Sequence, residues 1–429
     1  MDGLDATQKI YKALPGQHNL IDYFKTCEEF KFADIEKEFS WHRTGKVNIA
    51  YEAVDRNVEE KGLADAVALY YSYGLQEIEF TFSQIKQLSD KFANVLRKHG
   101  IKRRDRVGIF MPRSPELYIT FLGIFKAGAV AVPLFEAFME EALLDRLLDS
   151  GASVLITTSD LITRVPRDRL PDLRHVILID RKKELPNVIL YQEAMSQAST
   201  ELQIAWLDLE TPMLLHYTSG STGKPKGILH VHGAMVQHYQ TAKWVLDLKE
   251  TDLYWCTADP GWVTGTVYGI FAPWLCGVTS LVLGGRFEPE RWYKFISQHK
   301  VTVWYTAPTA LRMLMAAGDD LTSSYDLSSL RHILSVGEPL NPEVISWAQR
   351  VLGLAIHDTW WMTETGGIIV ANYPGMQIKP GSMGRPFPGI TVAILDDMGQ
   401  ELPAGSLGQL AIKTPWPSMF RVVWKNQAK

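Results

Sequence analysis

The chain contains the stretch Tyr217-Thr218-Ser219-Gly220-Ser221-Thr222-Gly223-Lys224-Pro225-Lys226-Gly227, which packs hydroxyls, glycines and two lysines into one short loop. Small residues let a backbone approach an anion closely, so that N–H groups and hydroxyls can donate hydrogen bonds to phosphate oxygens. The apolar run 213–215 before the loop predicts a strand, and the region 228–245 after it is long enough for a helix. A flexible Ser/Gly linker is the alternative, but linkers rarely follow an apolar strand directly. The stretch therefore predicts a phosphate-binding loop.

The loop differs from the P-loop of nucleoside triphosphatases, in which four residues separate the glycines and a Ser or Thr follows the lysine. Here Pro225 follows Lys224. The loop resembles instead the signature loop of the AMP-forming adenylate enzymes, which include acyl- and aryl-CoA synthetases, peptide-synthetase adenylation domains and firefly luciferases. This resemblance implies that the loop holds the leaving β- and γ-phosphates of ATP. The implied nucleotide-binding residues, with Lys224 also in a catalytic role, are Thr218, Ser219, Gly220, Ser221, Thr222, Gly223, Lys224 and Lys226.

The composition of the whole chain limits the classes of function. A length of 429 residues suggests two or more packed subdomains, and a hydrophobic content of 46% is ordinary for a globular protein. The net charge of −4 argues against a nucleic-acid platform. Cys27, Cys256 and Cys276 are odd in number and far apart, which is untypical of a disulfide framework or a zinc site and fits a reducing cytoplasm. Residues 1–14 do not resemble a secretory signal, and residues 117–135 predict a buried helix and strand rather than a membrane span.

Strands and helices alternate along the chain, in one series that starts near residue 85 and a second that starts at residue 213. This alternation favours parallel sheets with helices on both faces, so the predicted fold class is α/β. The resemblance implies the large N-terminal domain of adenylate-forming enzymes, with two parallel-rich sheets packed with helices and a small C-terminal β subdomain. The predicted parts are an N-terminal entry segment packed on the body (1–75), a first α/β subdomain (76–200), a second that holds the nucleotide and acyl sites (201–380) and a β-rich subdomain (381–429).

The resemblance ends early, at residues 424–429. In the family, a motif of the form Gly-Trp-Tyr-x-Ser/Thr-Gly-Asp and then a mobile catalytic domain follow this point. We therefore expect that the mobile C-terminal domain is absent from this chain. The ribose-binding Asp and the catalytic Lys of that region would then be missing as well, and we expect the chain alone to be poorly active.

A second polar segment is Asp358-Thr359-Trp360-Trp361-Met362-Thr363-Glu364-Thr365-Gly366-Gly367. Glu364 is a hard oxygen donor, which suits Mg²⁺ because this ion takes one or two carboxylates together with phosphates and water. A solvated polar loop with two core tryptophans is the alternative. In the family, the Thr of this segment contacts the α-phosphate and the Glu holds Mg²⁺, so the resemblance implies catalytic roles for Thr363 and Glu364. The implied nucleotide-binding residues are Asp358, Thr359, Trp360, Met362 and Thr363, and the implied metal ligand is Glu364.

A third segment, Ser335-Val336-Gly337-Glu338-Pro339, follows a predicted strand. Ligands bind beyond the carboxyl ends of the strands in open α/β sheets. An ordinary strand-to-helix turn would give the same short pattern. The similar segment of CoA synthetases wraps the adenine, so the resemblance implies nucleotide contacts for Gly337, Glu338 and Pro339.

A fourth segment, Asp259-Pro260-Gly261-Trp262-Val263-Thr264-Gly265, indicates a tight turn that presents an indole. A core aromatic at the start of a helix is the alternative. Together with the Trp-Trp pair, the segment resembles the acyl pocket of AMP-forming acetyl-CoA synthetases. In those enzymes the second tryptophan of the pair caps a very small pocket, so Trp361 is the residue expected to select acetate. The implied acyl-pocket residues are Trp262, Val263, Thr264, Val336 and Trp361.

Two further groups of residues carry weaker signals. They are a histidine group (His230, His232, His238) and an arginine group (Arg164, Arg167, Arg169). The histidines could suggest a metal, but a structural or phosphate-adjacent role is favoured. The arginines could meet the 3′-phosphate of CoA, and a solvated loop is an equal alternative. Residues 135–138 occupy the place of a CoA-facing turn in the synthetases, with a loose local match.

The sequence therefore predicts an enzyme that resembles the AMP-forming acetyl-CoA synthetases and uses ATP, Mg²⁺ and CoA. Its expected partners are the small molecules acetate, ATP and CoA, with no nucleic acid and no membrane, and its oligomeric state is left open. Two alternatives remain at this point. One is a synthetase for propionate or another short-chain acid, and the other is a nucleotide-binding module without turnover.

Overall fold

The computed structural model describes residues 9–180, 185, 188–218 and 223–426. Its α-helices are α1 (Tyr23–Glu29), α2 (Phe32–Glu36), α3 (Trp41–Thr44), α4 (Arg56–Glu59), α5 (Phe82–Lys98), α6 (Pro115–Lys126), α7 (Glu140–Ser150), α8 (Tyr191–Gln197), α9 (Met235–Trp244), α10 (Val263–Thr266), α11 (Ala272–Leu275), α12 (Pro289–Gln298), α13 (Pro308–Ala316) and α14 (Pro342–Val351). None of the helices in these ranges combines the length and the apolar character that crossing a bilayer requires.

The strands alternate with these helices, as the sequence predicts. They are β1 (Val67–Tyr73), β2 (Gln76–Thr81), β3 (Arg106–Phe110), β4 (Val130–Pro133), β5 (Val154–Thr157), β6 (His175–Leu178), β7 (Ile189–Leu190), β8 (Pro212–Thr218), β9 (Lys226–Val231), β10 (Leu253–Cys256), β11 (Thr279–Leu283), β12 (Val303–Thr306), β13 (His332–Ser335), β14 (Ile356–Trp360), β15 (Val370–Ala371), β16 (Arg385–Pro386), β17 (Val392–Leu395), β18 (Gln409–Ile412) and β19 (Val422–Val423). The predicted α/β fold class is confirmed.

The larger sheet has nine strands within the described ranges, in the order β16-β15-β14-β13-β12-β10-β11-β1-β2. Its middle, from β14 to β1, is parallel, and antiparallel strands pair at both edges. The central strands β12 and β13 are buried along their whole length. Helices cover both faces of such a strand, which is why these strands lack the polar alternation of a half-exposed sheet.

The second sheet has eight strands in the part of the chain that the structure describes, in the order β19-β9-β8-β4-β3-β5-β6-β7. The strands from β8 to β7 are parallel, and β9 and β19 add antiparallel pairs. The expectation of a helix over residues 228–245 is wrong in its first part, because Ile228 to Val231 belong to strand β9. Pairing with β8 satisfies the backbone groups of this apolar run while burying it. Helix α9 begins only at Met235.

Both sheets combine distant parts of the sequence. Strands β1 and β2 join the sheet that contains β10 to β16, and β8, β9 and β19 join the sheet that contains β3 to β7. The division into residues 1–75, 76–200, 201–380 and 381–429 stays a prediction. The expected small antiparallel β unit near the C-terminus is confirmed as the pair β17–β18.

Aromatic side chains attach the N-terminal segment to the body of the molecule. The Phe30 ring lies 4.8 Å from the Trp244 ring, and the Phe39 ring lies 5.1 Å from the Tyr239 ring. Both partners lie at helix α9. Large rings bury much apolar area in few residues, so these contacts help to fix α9 in place.

A buried ion-pair cluster joins α5, α6 and the π-helical turn Tyr51–Asp55. The Lys126 ammonium, whose side chain is fully buried, lies 2.7 Å from a carboxylate oxygen of Asp55 and 2.7 Å from one of Asp90. Burial raises the pKa of Asp55 to about 6, although the charge of Lys126 opposes this effect. Each buried charge in the cluster faces an opposite one, so the loss of one partner would leave a buried charge uncompensated.

Replacing Lys126 by Met should lower the free energy of unfolding by about 3–5 kcal/mol, because among the described residues it leaves the two buried carboxylates with only the more exposed Lys86 as a counter-charge. Urea denaturation followed by circular dichroism measures the effect. The matched control is Lys37→Met, which removes an exposed pair with Asp34 at the same 2.7 Å. Exposed pairs contribute little, so the control should unfold like the parent protein. Equal losses in both variants would contradict the role given to burial.

Candidate active site

The predicted phosphate-binding loop connects β8 to β9 as the tip of a hairpin. Thr218, at the end of β8, pairs with Lys226, at the start of β9. Gly223 adopts a positive φ of +86° with open space around it, and Lys224 beside it is exposed. The predicted ligands Ser219, Gly220, Ser221 and Thr222 lie outside the described residues. The hairpin therefore presents two lysines at one end of the smaller sheet.

The base of this hairpin is anchored from outside. The Tyr217 hydroxyl donates a hydrogen bond of 2.7 Å to the Asp149 carboxylate, and burial together with that carboxylate raises the pKa of Tyr217 well above its ordinary value. The Trp424 indole N–H donates to the backbone carbonyl of Asp149 at 3.0 Å. Gly227 leaves the space that the Trp424 side chain occupies. The hairpin is therefore held at its root by two aromatic side chains.

The predicted adenine segments lie at the carboxyl ends of neighbouring parallel strands. Ser335 ends β13 and pairs in register with Asp358 of β14. The Ser335 hydroxyl donates to the Asp358 carboxylate at 2.9 Å, and burial raises the pKa of Asp358 to about 6. Gly337 follows with a positive φ of +93° and nothing within 4 Å of where a Cβ would stand. This is the sheet edge at which α/β proteins bind ligands.

The Glu338 carboxylate is occupied by protein groups. The Thr309 hydroxyl lies 2.6 Å from one of its oxygens, and the Arg312 guanidinium donates to the other at 2.6 Å. Partial burial would raise the pKa of Glu338, but these hydrogen bonds outweigh it and hold the pKa below its usual value. Glu338 therefore tethers the turn to helix α13, and the adjoining backbone at Gly337 and Pro339 remains exposed.

Residues Trp361 to Ile369 form the loop between β14 and β15, which we call the metal loop. Within it the Thr365 hydroxyl accepts the Met362 N–H at 2.9 Å and lies 3.0 Å from the Gly367 carbonyl. Thr363 and Glu364 sit at the bend and are half-buried. In the described part of the chain, the Glu364 carboxylate has no hydrogen-bond or ion-pair partner. This side chain is therefore available for a cation.

Side chains from β9 and α9 hold the metal loop through its backbone. The Nε2–H of His230 donates to the Thr363 carbonyl at 2.8 Å, and the Nε2–H of His238 donates to the Gly366 carbonyl at 2.8 Å. The Gln237 amide donates to the Ile368 carbonyl at 2.9 Å. The tautomers follow because a backbone carbonyl can only accept.

A second set of contacts holds the metal loop from other parts of the chain. We call the two sets of contacts together the cage of the metal loop. The Tyr268 hydroxyl accepts the Ile368 N–H at 2.9 Å. The Ser418 hydroxyl and the Trp416 indole both donate to the Thr365 carbonyl at 2.7 Å. Gly366 has a positive φ of +69°, and a Cβ there would overlap the Ser418 carbonyl oxygen. No short sequence pattern marks Tyr268, Trp416 or Ser418, so their roles cannot be predicted from the sequence.

The histidine group supports structure. His232 accepts the Ile49 N–H through Nδ1 at 3.1 Å, away from the metal loop that His230 and His238 hold. Burial lowers the pKa of His230 to about 4 and the pKa of His232 and His238 to about 3, so all three rings are neutral near pH 7. Among the described residues, no group of three or more His, Cys, Asp or Glu side chains could hold a metal ion.

The predicted acyl-pocket residues divide into two places. Trp361 is 6% exposed, and it belongs to the same apolar cluster as Val336, with Val263 packed against that cluster. Its ring meets the Tyr268 ring edge to face at 5.1 Å. Trp262 is 45% exposed and does not join this cluster. Thr264, beside Val263 at the start of α10, is half-buried.

The exposed Trp262 indole lies instead against the turn that resembles a CoA-facing segment. Its ring is 5.4 Å from the Phe135 ring and 6.1 Å from the Phe138 ring. Arg164 donates to the Glu136 carbonyl of the same turn at 2.9 Å. Arg169 pairs with acids of α7, the nearer at 3.0 Å. A contact of these groups with CoA stays a prediction.

Comparison with known proteins identifies the family. The family model described as AMP-binding enzyme matches residues 54–424. The chain belongs to this family. The match includes the phosphate hairpin, the metal loop and the Val336–Pro339 turn. Recognition of the adenylate-forming enzymes from the loop sequence is therefore confirmed.

Among the AMP-binding enzymes, the chain is similar to acetyl-coenzyme A synthetases and to an acyl-CoA synthetase. The chain is 58% identical over 423 residues to the acetyl-coenzyme A synthetase of Bacillus subtilis, covering 98% of this chain and 74% of that protein. It is 37% identical to acetyl-coenzyme A synthetase 2 of Pseudomonas aeruginosa, covering 95% of this chain and 67% of that protein. The crystal structure of an acyl-CoA synthetase from Brucella canis superposes with a TM-score of 0.88 at 32% identity, covering 94% of this chain and 74% of that one.

Replacing Gly366 by Ala should destabilise the protein strongly, by about 3 kcal/mol or more, because the methyl group adds a steric overlap to the strain of a left-handed backbone. The matched control is Gly399→Ala, whose φ of +79° is similar but whose Cβ would meet nothing within 4 Å. The control should carry only the backbone strain, about 1 kcal/mol. Urea unfolding of both variants measures the difference, and equal losses would show that the cage leaves room at Gly366.

Proposed function

We propose that this chain binds Mg·ATP and acetate, forms acetyl-AMP with release of pyrophosphate, and supports transfer of the acetyl group to CoA. The observation that carries the proposal is the metal loop, in which one short segment joins the free carboxylate of Glu364 to the buried indole of Trp361. This arrangement supports the proposal because it would bring a metal ligand and an apolar cap to the same end of the sheet. The acetyl-coenzyme A synthetases among the relatives support the choice of acid.

The reaction needs no nucleophile from the protein. An acetate carboxylate oxygen forms a bond to the α-phosphorus, and the bond from that phosphorus to the bridging oxygen breaks as pyrophosphate leaves. In the second half, the CoA sulfur attacks the acetyl carbon, loses its proton and displaces AMP. Such displacements are accelerated by positioning and by neutralising charge on the phosphates. The chain therefore has to supply anion binding and a fixed geometry.

The residues present fit that task. Lys224 and Lys226 carry positive charge on the phosphate hairpin, and Thr218 lies at its base. The Glu364 carboxylate, which has no partner among the residues that the structure describes, suits Mg²⁺, because this ion usually takes one or two carboxylates and completes its shell with phosphates and water. Bound Mg²⁺ would supply positive charge beside the phosphates. The hydroxyl of Thr363 would then donate to an α-phosphate oxygen.

Adenine recognition falls to the two strand ends. The backbone beyond Gly337 can approach a planar ring closely, since no side chain intervenes. Asp358 faces the same edge from β14, and Trp360 and Met362 follow it. The buried Thr359 hydroxyl is bonded to Tyr305 and to the Ser335 carbonyl, so only the backbone of Thr359 remains for a contact with the nucleotide. The Asp358 carboxylate, held by Ser335, can accept a hydrogen bond from an amino group.

The proposed reaction is tested by acetate-dependent exchange of labelled pyrophosphate into ATP. Exchange should be slow overall, in line with the poor activity expected of this chain, and it should be fastest with acetate, slower with propionate and slowest with butyrate and hexanoate. A profile that peaks at propionate would assign a different short-chain acid. If ATP binds but exchange occurs with none of these acids, the chain is a nucleotide-binding module and the activation step has to be withdrawn.

Replacing Glu364 by Gln should weaken binding of ATP in the presence of Mg²⁺ while leaving binding without Mg²⁺ unchanged, because the amide keeps the size and loses the charge. Titration calorimetry with and without the metal measures both affinities, and we expect a loss of roughly tenfold or more, the cost of one charged ligand. The control is Glu343→Gln, an exposed carboxylate on α14. Equal Mg·ATP affinity in the parent and the Glu364 variant would remove the metal role.

Replacing Trp361 by Gly should shift preference toward longer acyl chains. Loss of the indole opens apolar space, each buried methylene adds about 0.8 kcal/mol, and pockets discriminate by about 1–3 kcal/mol per methylene. Calorimetry with the ethyl, propyl, butyl and hexyl esters of AMP, unreactive mimics of the four acyl adenylates, measures the preference. The control is Trp206→Gly, which removes an exposed indole. A folded Trp361 variant that still ranks ethyl above butyl would show that Trp361 does not cap the pocket.

A further inference from the structure

A line of three hydrogen bonds runs from the Trp361 indole into the sheet. The Trp361 Nε1 lies 3.1 Å from the Tyr305 hydroxyl, which lies 2.7 Å from the Thr359 hydroxyl. The Thr359 hydroxyl in turn lies 2.7 Å from the Ser335 carbonyl. All four residues are buried, and Tyr305 and Ser335 are fully so. The line therefore lies out of reach of solvent.

The direction of each bond follows from the chemistry of its ends. An indole N–H can only donate and a backbone carbonyl can only accept. The Thr359 hydroxyl therefore donates its hydrogen bond to the Ser335 carbonyl and accepts one from the Tyr305 hydroxyl. The Tyr305 hydroxyl is left to accept the Trp361 N–H. Each hydroxyl donates once and accepts once, so the line has one consistent orientation.

The neighbouring tyrosine does not offer the indole a second acceptor. The Tyr268 hydroxyl already accepts the Ile368 N–H and lies 2.8 Å from the Thr241 hydroxyl. Thr241 donates to the Gln237 carbonyl at 2.6 Å, so Tyr268 must donate to Thr241. Tyr268 therefore contacts the Trp361 ring with its own ring alone, and Tyr305 holds the indole N–H.

We propose that Tyr305 is a positioning residue for acyl-chain selection, because its hydroxyl fixes the Trp361 indole in the orientation that closes the pocket. The proposal rests on the proposed function, in which Trp361 caps the acyl site. Turning the indole away would leave a buried N–H without an acceptor, which is costly. The size limit of the pocket is then set by two residues: Trp361 fills the space, and Tyr305 keeps the Trp361 indole from moving.

The position of Tyr305 in the fold gives this role its rigidity. Tyr305 lies on β12, a central parallel strand, and pairs in register with Leu334 of β13. The line ends at Ser335, the residue before Val336 of the same apolar cluster. The orientation of the indole is therefore fixed by the backbone of the sheet, next to Val336, which is another proposed residue of the acyl pocket.

The test is Tyr305→Phe, which keeps the ring and removes the hydroxyl. The dissociation constants of ethyl-AMP and propyl-AMP are measured by calorimetry, and the quantity compared is their ratio. We expect the ratio to move roughly threefold to tenfold toward propyl-AMP, a part of the tenfold or larger discrimination that one methylene can carry. The ratio is the informative readout, since a loss of stability alone would weaken both ligands equally.

The matched control is Tyr268→Phe. Tyr268 is equally buried, contacts the same indole and makes as many hydrogen bonds, but none of them goes to Trp361. Its loss should leave the propyl to ethyl ratio unchanged, whatever it does to melting temperature. The same shift in both variants would mean that general loosening of the core changes selectivity, and the assignment to Tyr305 would be overturned.

A double variant separates this inference from the proposed function. In a Trp361→Gly background, Tyr305→Phe should cause no further shift, because the side chain that it positions is gone. If Trp361→Gly shifts the ratio and Tyr305→Phe does not, the cap stands and the positioning role fails. If Trp361→Gly leaves the ratio unchanged in folded protein, the cap itself fails. If Tyr305→Phe shifts the ratio equally in both backgrounds, it acts directly on the ligand and the proposed line is wrong.

Discussion

The site depends on one constraint, which is that the metal loop must satisfy its backbone groups without regular secondary structure. A buried carbonyl without a donor destabilises a fold by a few kcal/mol. Here His230, Gln237, His238 and Ser418 supply the donors from β9, from α9 and from the C-terminal region. The two sheets meet through these bonds, because β9 belongs to one sheet and the metal loop interrupts the other. A loop that must stay open to ligand is thereby made rigid from behind.

Around the whole site, the residues proposed to face the ligand differ from the residues that hold them in place. The residues that we propose to face the ligand are small and exposed, such as Gly223 and Gly337, or have a side chain without a partner among the described residues, such as Glu364. Residues behind them are large, buried and fully bonded, such as Tyr217 at the root of the hairpin and Tyr305 beneath the indole. Catalysis by positioning requires this second layer, because the chemistry offers the protein no covalent step of its own. The family signature lies in the first layer, whereas the packing that holds it lies in the second.

The sequence therefore predicted the first layer better than the second. The alternation of strands and helices predicted the α/β class, because buried parallel strands are continuous in hydrophobicity. The loop motifs located the candidate ligand-facing residues by resemblance. The strand β9 was mistaken for helix, since a short apolar run fits either period and its partner β8 decides the matter. The roles of Ser418 and Tyr268 could not be predicted, because both residues are distant in sequence from the loop backbone that they bind. Ser418 lies 53 positions from Thr365, and Tyr268 lies 100 positions from Ile368.

The buried neutral histidines lower the stability of the fold in acid. Burial lowers the pKa of His216, His232, His238 and His357 to about 3 and that of His230 to about 4. In an unfolded chain these rings titrate near 6.5, so below that pH protons favour unfolding, and each ring contributes about 1.4 kcal/mol per pH unit. Five rings together remove about 5 kcal/mol between pH 6.5 and 5.5, a large part of the stability of a typical domain. The raised pKa values of Asp55, Asp259 and Asp358 offset some of this loss, because these carboxylates take up protons in the folded state. Acid is therefore expected to unfold this protein through proton uptake by its buried histidines, in the same pH range in which the Asp358 carboxylate becomes protonated.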